Sequence, residues 1–129
     1  MSGGGTDLTE LRVLVGTTDY DGTTAFYRDV LGFPADEAWD GPDGRGTLFR
    51  ATSAGIVEVV EDSPHHPAVP PAGVSVAIEV DDVDAVHDQL RLAGVTIAEP
   101  IADRPWGHRN FAIRDPSGLP LTFFEVLSR

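Results

Sequence analysis

The apolar positions fall into short runs of strand period, interrupted by two stretches of helical period. Leu11-Arg12-Val13-Leu14-Val15 is short and rich in Val and Leu, and predicts a strand. Thr18-Asp19-Tyr20-Asp21 reads as a turn and helix cap, and Phe26, Tyr27, Val30 and Leu31 then recur on one helical face. Gly32 ends that helix. Three more strands are predicted over residues 34–40, 46–51 and 55–61. Asp40-Gly41-Pro42-Asp43-Gly44 marks a hairpin between the first two, and Ser53-Ala54-Gly55 a second turn.

The same order then returns. Val74 to Val80 predicts a strand, Asp81-Asp82 caps a helix carrying Val83, Val86 and Leu90, and Gly94 closes it. Strands over 95–101, 109–114 and 119–126 follow, the last two joined by the tight turn Asp115-Pro116-Ser117-Gly118. Between the copies, residues 62–71 hold four prolines, which excludes helix and central strand. An internal repeat of this kind outweighs any single motif in deciding the fold. The chain reads as α+β, two tandem βαβββ modules forming a curved mixed sheet around a cleft. Its parts are a flexible tail (1–9), a first module (10–61), a Pro-rich linker (62–73) and a second module (74–129), within one structural domain.

Composition narrows the chemistry. There is no cysteine, so disulfides and thiolate metal sites are excluded. That absence and the lack of an apolar leader segment point to the cytoplasm. The longest apolar runs are strand-sized, far below the about 20 residues of a membrane helix. A net charge of −12 disfavours nucleic acid and anionic lipid as partners and favours a cationic guest. No Gly-rich loop follows a strand and no serine sits in a G-x-S-x-G elbow, so no residue is assigned a catalytic role.

Three segments carry a resemblance. These are TTDYDGTTAFYRDVLGF near the start, SVAIEVDDVDAVHDQLRLAGV in the middle and PWGHRNFAIRDPSGLPLTFFE near the end. In this order and spacing the chain resembles the glyoxalase/bleomycin-resistance (vicinal oxygen chelate) superfamily, from Leu11 to Glu125. The resemblance implies a cleft enclosed by two βαβββ modules, and commonly a homodimer. It also implies a split between metal-dependent enzymes and metal-free proteins that sequester drugs.

In the metal enzymes of that superfamily, the first and fourth strands of each module supply ligands, usually His, Gln or Glu. Carried over, those places fall on Arg12, Glu58, Ser75 and Thr122. Arginine stays protonated and donates no lone pair, and neutral hydroxyls are poor ligands for a divalent ion. Only Glu58 is a good donor. A metal site would need Glu125 brought to the same face by a bulge at Pro120, with His65, His66 or His108 completing it. The expectation is therefore no metal and no cofactor. Arg12 and Glu58 would instead pair in the cleft. Trp39, Phe49, Trp106 and Phe124 would stack on a planar aromatic guest, with Trp106 at the rim. Ser75, His108, Asn110 and Thr122 would supply polar contacts. Phe26, Tyr27, Phe111 and Phe123 read as core, and His65, His66 and His87 as surface. The function expected is sequestration of an aromatic antibiotic or natural product. The alternative is a lyase, isomerase or dioxygenase using a divalent metal or a Glu or His base.

Overall fold

The computed structural model describes residues 7–128. The tail expected over residues 1–9 lies mostly outside the described residues, as does Arg129. Each half of the chain builds a four-stranded mixed sheet. The first contains β1 (Leu11–Thr17), β2 (Ala35–Gly41), β3 (Gly44–Arg50) and β4 (Gly55–Glu61), in the order β1-β4-β3-β2. The second contains β5 (Val76–Glu79), β6 (Glu99–Asp103), β7 (His108–Arg114) and β8 (Pro120–Val126), in the order β5-β8-β7-β6. In both, the first and last strands run parallel and the other pairs antiparallel. The repeat in the sequence is a repeat in topology.

Helix α1 (Tyr20–Ala25) begins at Asp19, whose side chain accepts from the Gly22 amide at 3.0 Å. It continues into a π-helical turn, Phe26–Val30, where the Leu31 amide reaches back to the Phe26 carbonyl at 3.0 Å. Gly32 then takes a φ of 73°, ending the helix as the sequence suggests. Helix α2 (Val83–Leu92) starts at Asp82, which accepts from the Ala85 amide at 3.1 Å.

One hydrophobic cluster serves both modules. It joins Val15, Tyr27, Phe49, Val57 and Val59 from the first with Ile78, Val83, Leu90, Phe111, Ile113, Leu121 and Phe123 from the second. Tyr27 stacks on Phe49 at 5.7 Å, and Phe111 on Phe123 at 5.5 Å. A polar clip crosses the same seam. The Tyr27 hydroxyl donates to Asp115 Oδ2 at 2.6 Å, while Asp115 Oδ1 accepts from the Ser117 amide and hydroxyl and the Leu119 amide. A carboxylate buried to this degree is tolerated because its oxygens are so fully hydrogen-bonded. No helix among the described residues is long and apolar enough to cross a membrane.

Three local expectations are corrected. The strand expected over 95–101 is β6, Glu99–Asp103: Val95 and Ile97 pack against the core as loop after Gly94 instead of joining the ladder. Strand β5 covers only Val76–Glu79, so Ser75 precedes it. His87 is mostly covered, with its ring edge-on to Phe111 at 5.1 Å.

Candidate functional site

Alternation along each strand gives every sheet a face toward the shared core and a second, open face. On the first sheet the open face carries Arg12 and Leu14 of β1, Glu58 of β4, Leu48 and Arg50 of β3 and Trp39 of β2. Arg12 Nη1 donates to Glu58 Oε1 at 3.1 Å, so the pairing expected from the sequence is present. Arg12 also holds Glu10, which lies 4.0 Å from Arg50, and Arg50 binds Asp36 at 2.6 Å. The chain of alternating charge Glu58–Arg12–Glu10–Arg50–Asp36 thus spans the face. Glu10, Arg50 and Asp36 escaped sequence reasoning because each belongs to a different strand or flank. Trp39 lies flat over Gly46: a Cβ built there would meet its ring at 2.1 Å. Only glycine lets the indole rest on the sheet.

On the second sheet the open face carries Ala77 and Glu79 of β5, Thr122 and Phe124 of β8, and His108, Asn110 and Ala112 of β7. The His108 and Phe124 rings stack at 4.5 Å with an interplanar angle of 12°, forming a flat double platform. Beside it, Thr122 stands between Ala77 and Ala112, a row of small side chains. Asn110 accepts from Arg104 Nε at 2.8 Å. Trp106 projects from the β6–β7 hairpin, 64 % exposed, at the edge of this face. Ser75 is exposed just before β5. Arg104 was missed by sequence reasoning, although it sits two residues before Trp106, at the entry to the hairpin.

Phe49 does not belong to either face. It is 1 % exposed and stacked on Tyr27 in the core. Strand β3 turns Thr47 and Phe49 to the core and Leu48 and Arg50 to the open face, but Thr47, Leu48 and Phe49 are all buried, so hydrophobicity alone does not tell the two sides apart.

The donor set that the superfamily's metal enzymes require does not fit here. The Glu58 carboxylate is engaged by a guanidinium, and Thr122 is flanked by two alanines. Glu125 Oε1 accepts from the Val83 amide at 3.1 Å, capping α2 on the core side of the sheet. The β7–β8 ladder runs from Pro120 to Val126 in unbroken register, so no bulge turns Glu125 to the open face. Among the described residues, no group of three or more His, Asp or Glu side chains is placed to hold a metal ion.

Two cavities lie away from most of these side chains. One of about 520 Å³ follows the seam between Phe26, Val30, Val95 and Arg114. Another, of about 270 Å³, lies between β1 and the Pro-rich segment, beside His66 and Pro67. Neither is lined by Arg12, Trp39, Glu58, Asn110, Thr122 or Phe124. The described chemistry is therefore displayed on two open faces, outside both cavities.

Comparison with known proteins places this architecture. A sequence profile of the Glyoxalase/Bleomycin resistance protein/Dioxygenase superfamily matches residues 11–123. The chain belongs to that superfamily. It is 31 % identical over 121 residues to the uncharacterized protein YaeR of Escherichia coli (strain K12), covering 84 % of this chain and 88 % of YaeR. Among solved structures it resembles TnmS3, an antibiotic binding protein from Streptomyces sp. CB03234. That match has a TM-score of 0.75 and 24 % identity, over 91 % of this chain and 94 % of TnmS3. It also resembles lactoylglutathione lyase from Agrobacterium tumefaciens. Here the TM-score is 0.70 at 21 % identity, over 89 % of this chain and 91 % of the lyase. At these identities the structural matches establish the glyoxalase-like fold, which serves both a binder and an enzyme.

Proposed function

We propose that this glyoxalase-superfamily chain is a metal-free binding protein that sequesters a planar aromatic small molecule, working as a homodimer in the cytoplasm. The observation that carries the reading is the parallel His108–Phe124 platform, part-exposed and flanked by the small row Ala77–Thr122–Ala112. A flat ring system placed there gains stacking and buried area together. The Arg12–Glu58 pair supports the metal-free part, since it occupies the positions where metal enzymes of the superfamily hold ligands. A salt bridge there neutralises the face and leaves no strong base to abstract a proton. The fold shared with the antibiotic binding protein TnmS3 is in keeping with sequestration.

The homodimer follows from what the single chain leaves uncovered. Strands β1 and β5 are outer strands, and Leu11, Leu14 and Val74 beside their edges are exposed. A second copy over these edges would bring an open face of one chain toward an open face of the other and close a cleft around the guest.

The test is a calorimetric titration with 2-anthracenecarboxamide, a neutral planar probe, in the presence of EDTA. The expected result is saturable binding, unaffected by the chelator, with the probe recovered unchanged. Phe124→Ala should weaken it about tenfold, the value of a good aromatic contact. Binding that disappears with EDTA and returns with Zn, Ni, Fe or Mn would instead support the metal-dependent enzyme.

A further inference from the structure

The chain has no lysine, so all of its fixed side-chain positive charge is carried by arginine. Most of the described arginines are neutralised. Arg12, Arg28, Arg45, Arg50 and Arg109 each hold at least one carboxylate within 4.0 Å. Arg104 is held differently. Its Nε donates to Asn110 Oδ1 at 2.8 Å and its Nη2 to the Pro100 carbonyl at 3.0 Å, both neutral acceptors. No ion pair to it forms among the described residues. Arg91 and Arg114 also lack one, but they are exposed, and Arg114 lies at the far end of β7 from His108.

Arg104 is partly buried and fixed in place. Its backbone amide pairs with the His108 carbonyl, which sets it opposite His108 at the mouth of the hairpin. Its side chain then runs along the open face to Asn110, the cross-strand partner of Phe124. The two neutral acceptors orient the guanidinium without cancelling its charge. They use Nε and one Nη2 hydrogen, leaving the Nη1 donors for another partner. In a molecule of net charge −12, a guanidinium positioned in this way beside an aromatic platform is a built recognition feature. The one acidic residue in the same row, Glu79, stands on β5 at the opposite edge, with β8 and β7 between.

We propose that Arg104, aimed by Asn110, is the charge-selecting residue of the binding face, and that the guest is a planar aromatic anion, bearing a carboxylate or phenolate beside its ring system. The assignment rests on the binding function proposed above and names the class of guest. The overall negative charge favours cations at long range. At contact distance, well inside a Debye length of about 8 Å, the local guanidinium decides.

The test compares three probes sharing one ring system: 2-anthracenecarboxylate, 2-anthracenecarboxamide and protonated 2-(aminomethyl)anthracene, titrated calorimetrically at low and high salt. The carboxylate should bind about tenfold more tightly than the carboxamide, the value of one charge-assisted pair, with the margin narrowing in salt. Arg104→Gln should bring that ratio close to one. Asn110→Asp should do the same while keeping Arg104 in place, because it supplies the carboxylate partner that the wild type withholds. Arg104→Lys, which keeps the charge, should retain most of the preference, a rescue that a merely structural role for the guanidinium would not show. Equal or tighter binding of the amide or the ammonium probe by the unsubstituted protein would overturn the charge assignment and leave aromatic binding standing. Failure of all three probes to bind would overturn both.

Discussion

Replacing Asp115 with alanine should lower the unfolding free energy by roughly 3–5 kcal/mol, a large part of the about 5–15 kcal/mol available to a domain of this size. The reason is the number of groups that depend on one carboxylate. Asp115 is 4 % exposed and accepts from the Tyr27 hydroxyl, the Ser117 amide and hydroxyl and the Leu119 amide. Alanine would strand two backbone amides in the β7–β8 turn and a phenol in the core, each at a desolvation cost. It would also remove the polar link between the modules.

Tyr27→Phe should cost less, roughly 1–2 kcal/mol, since three donors to Asp115 remain. It carries its own signature in pH. Burial, and then the nearby Asp115 charge, push the Tyr27 phenol well above its ordinary value. A group raised in the folded state contributes stability that is complete below its unfolded pKa, near 10, and is lost as pH rises past it. The wild type should therefore lose stability above about pH 10 more steeply than Tyr27→Phe. Urea unfolding across pH measures both effects. A cost below about 1 kcal/mol for Asp115→Ala would show that the clip contributes little beyond packing.

The second large effect is expected at Phe49. Truncation to alanine should destabilise by roughly 3–5 kcal/mol, because the ring is enclosed and stacked on Tyr27. The folded fraction should still bind the anthracene probes within about twofold of wild type, since Phe49 faces the shared core and no open face. Unfolding curves and titrations on the same preparation separate the outcomes. Loss of binding with stability intact would return Phe49 to the binding surface, where sequence reasoning had placed it.

That misplacement shows what could be read in advance. The recurrence of strand, acidic cap, helix, glycine and three strands announced two modules, because cap chemistry and alternation are local properties. Phe123 and Phe124 were assigned to opposite faces by parity alone, and β8 obeys it. The Arg12–Glu58 contact was legible through the resemblance, since both residues fall where the superfamily's metal enzymes hold ligands; on the strands themselves Glu58 lies opposite Leu14, two residues along from Arg12 on the same face. Phe49 was not, because Thr47, Leu48 and Phe49 are buried in succession and only Arg50, at the strand's end, marks the open side. The start of β6 was not either: Val95 and Ile97 alternate like a strand, but they meet the core before the ladder begins. The π-helical turn was hidden because Phe26, Tyr27, Val30 and Leu31 suit an ordinary helix as well as a wider one. Arg104 was overlooked because its significance lies in what it is not paired with, which depends on three-dimensional neighbours.

Where a guest sits on the molecule decides the assignment. Amide chemical-shift mapping of the protein with 2-anthracenecarboxylate, in EDTA, tests it directly. The largest shifts are predicted at Ala77, Asn110 and Phe124, and at the Trp106 indole. Shifts confined to the seam cavity around Phe26, Val30 and Val95, or appearing only when a divalent ion is supplied, would contradict it.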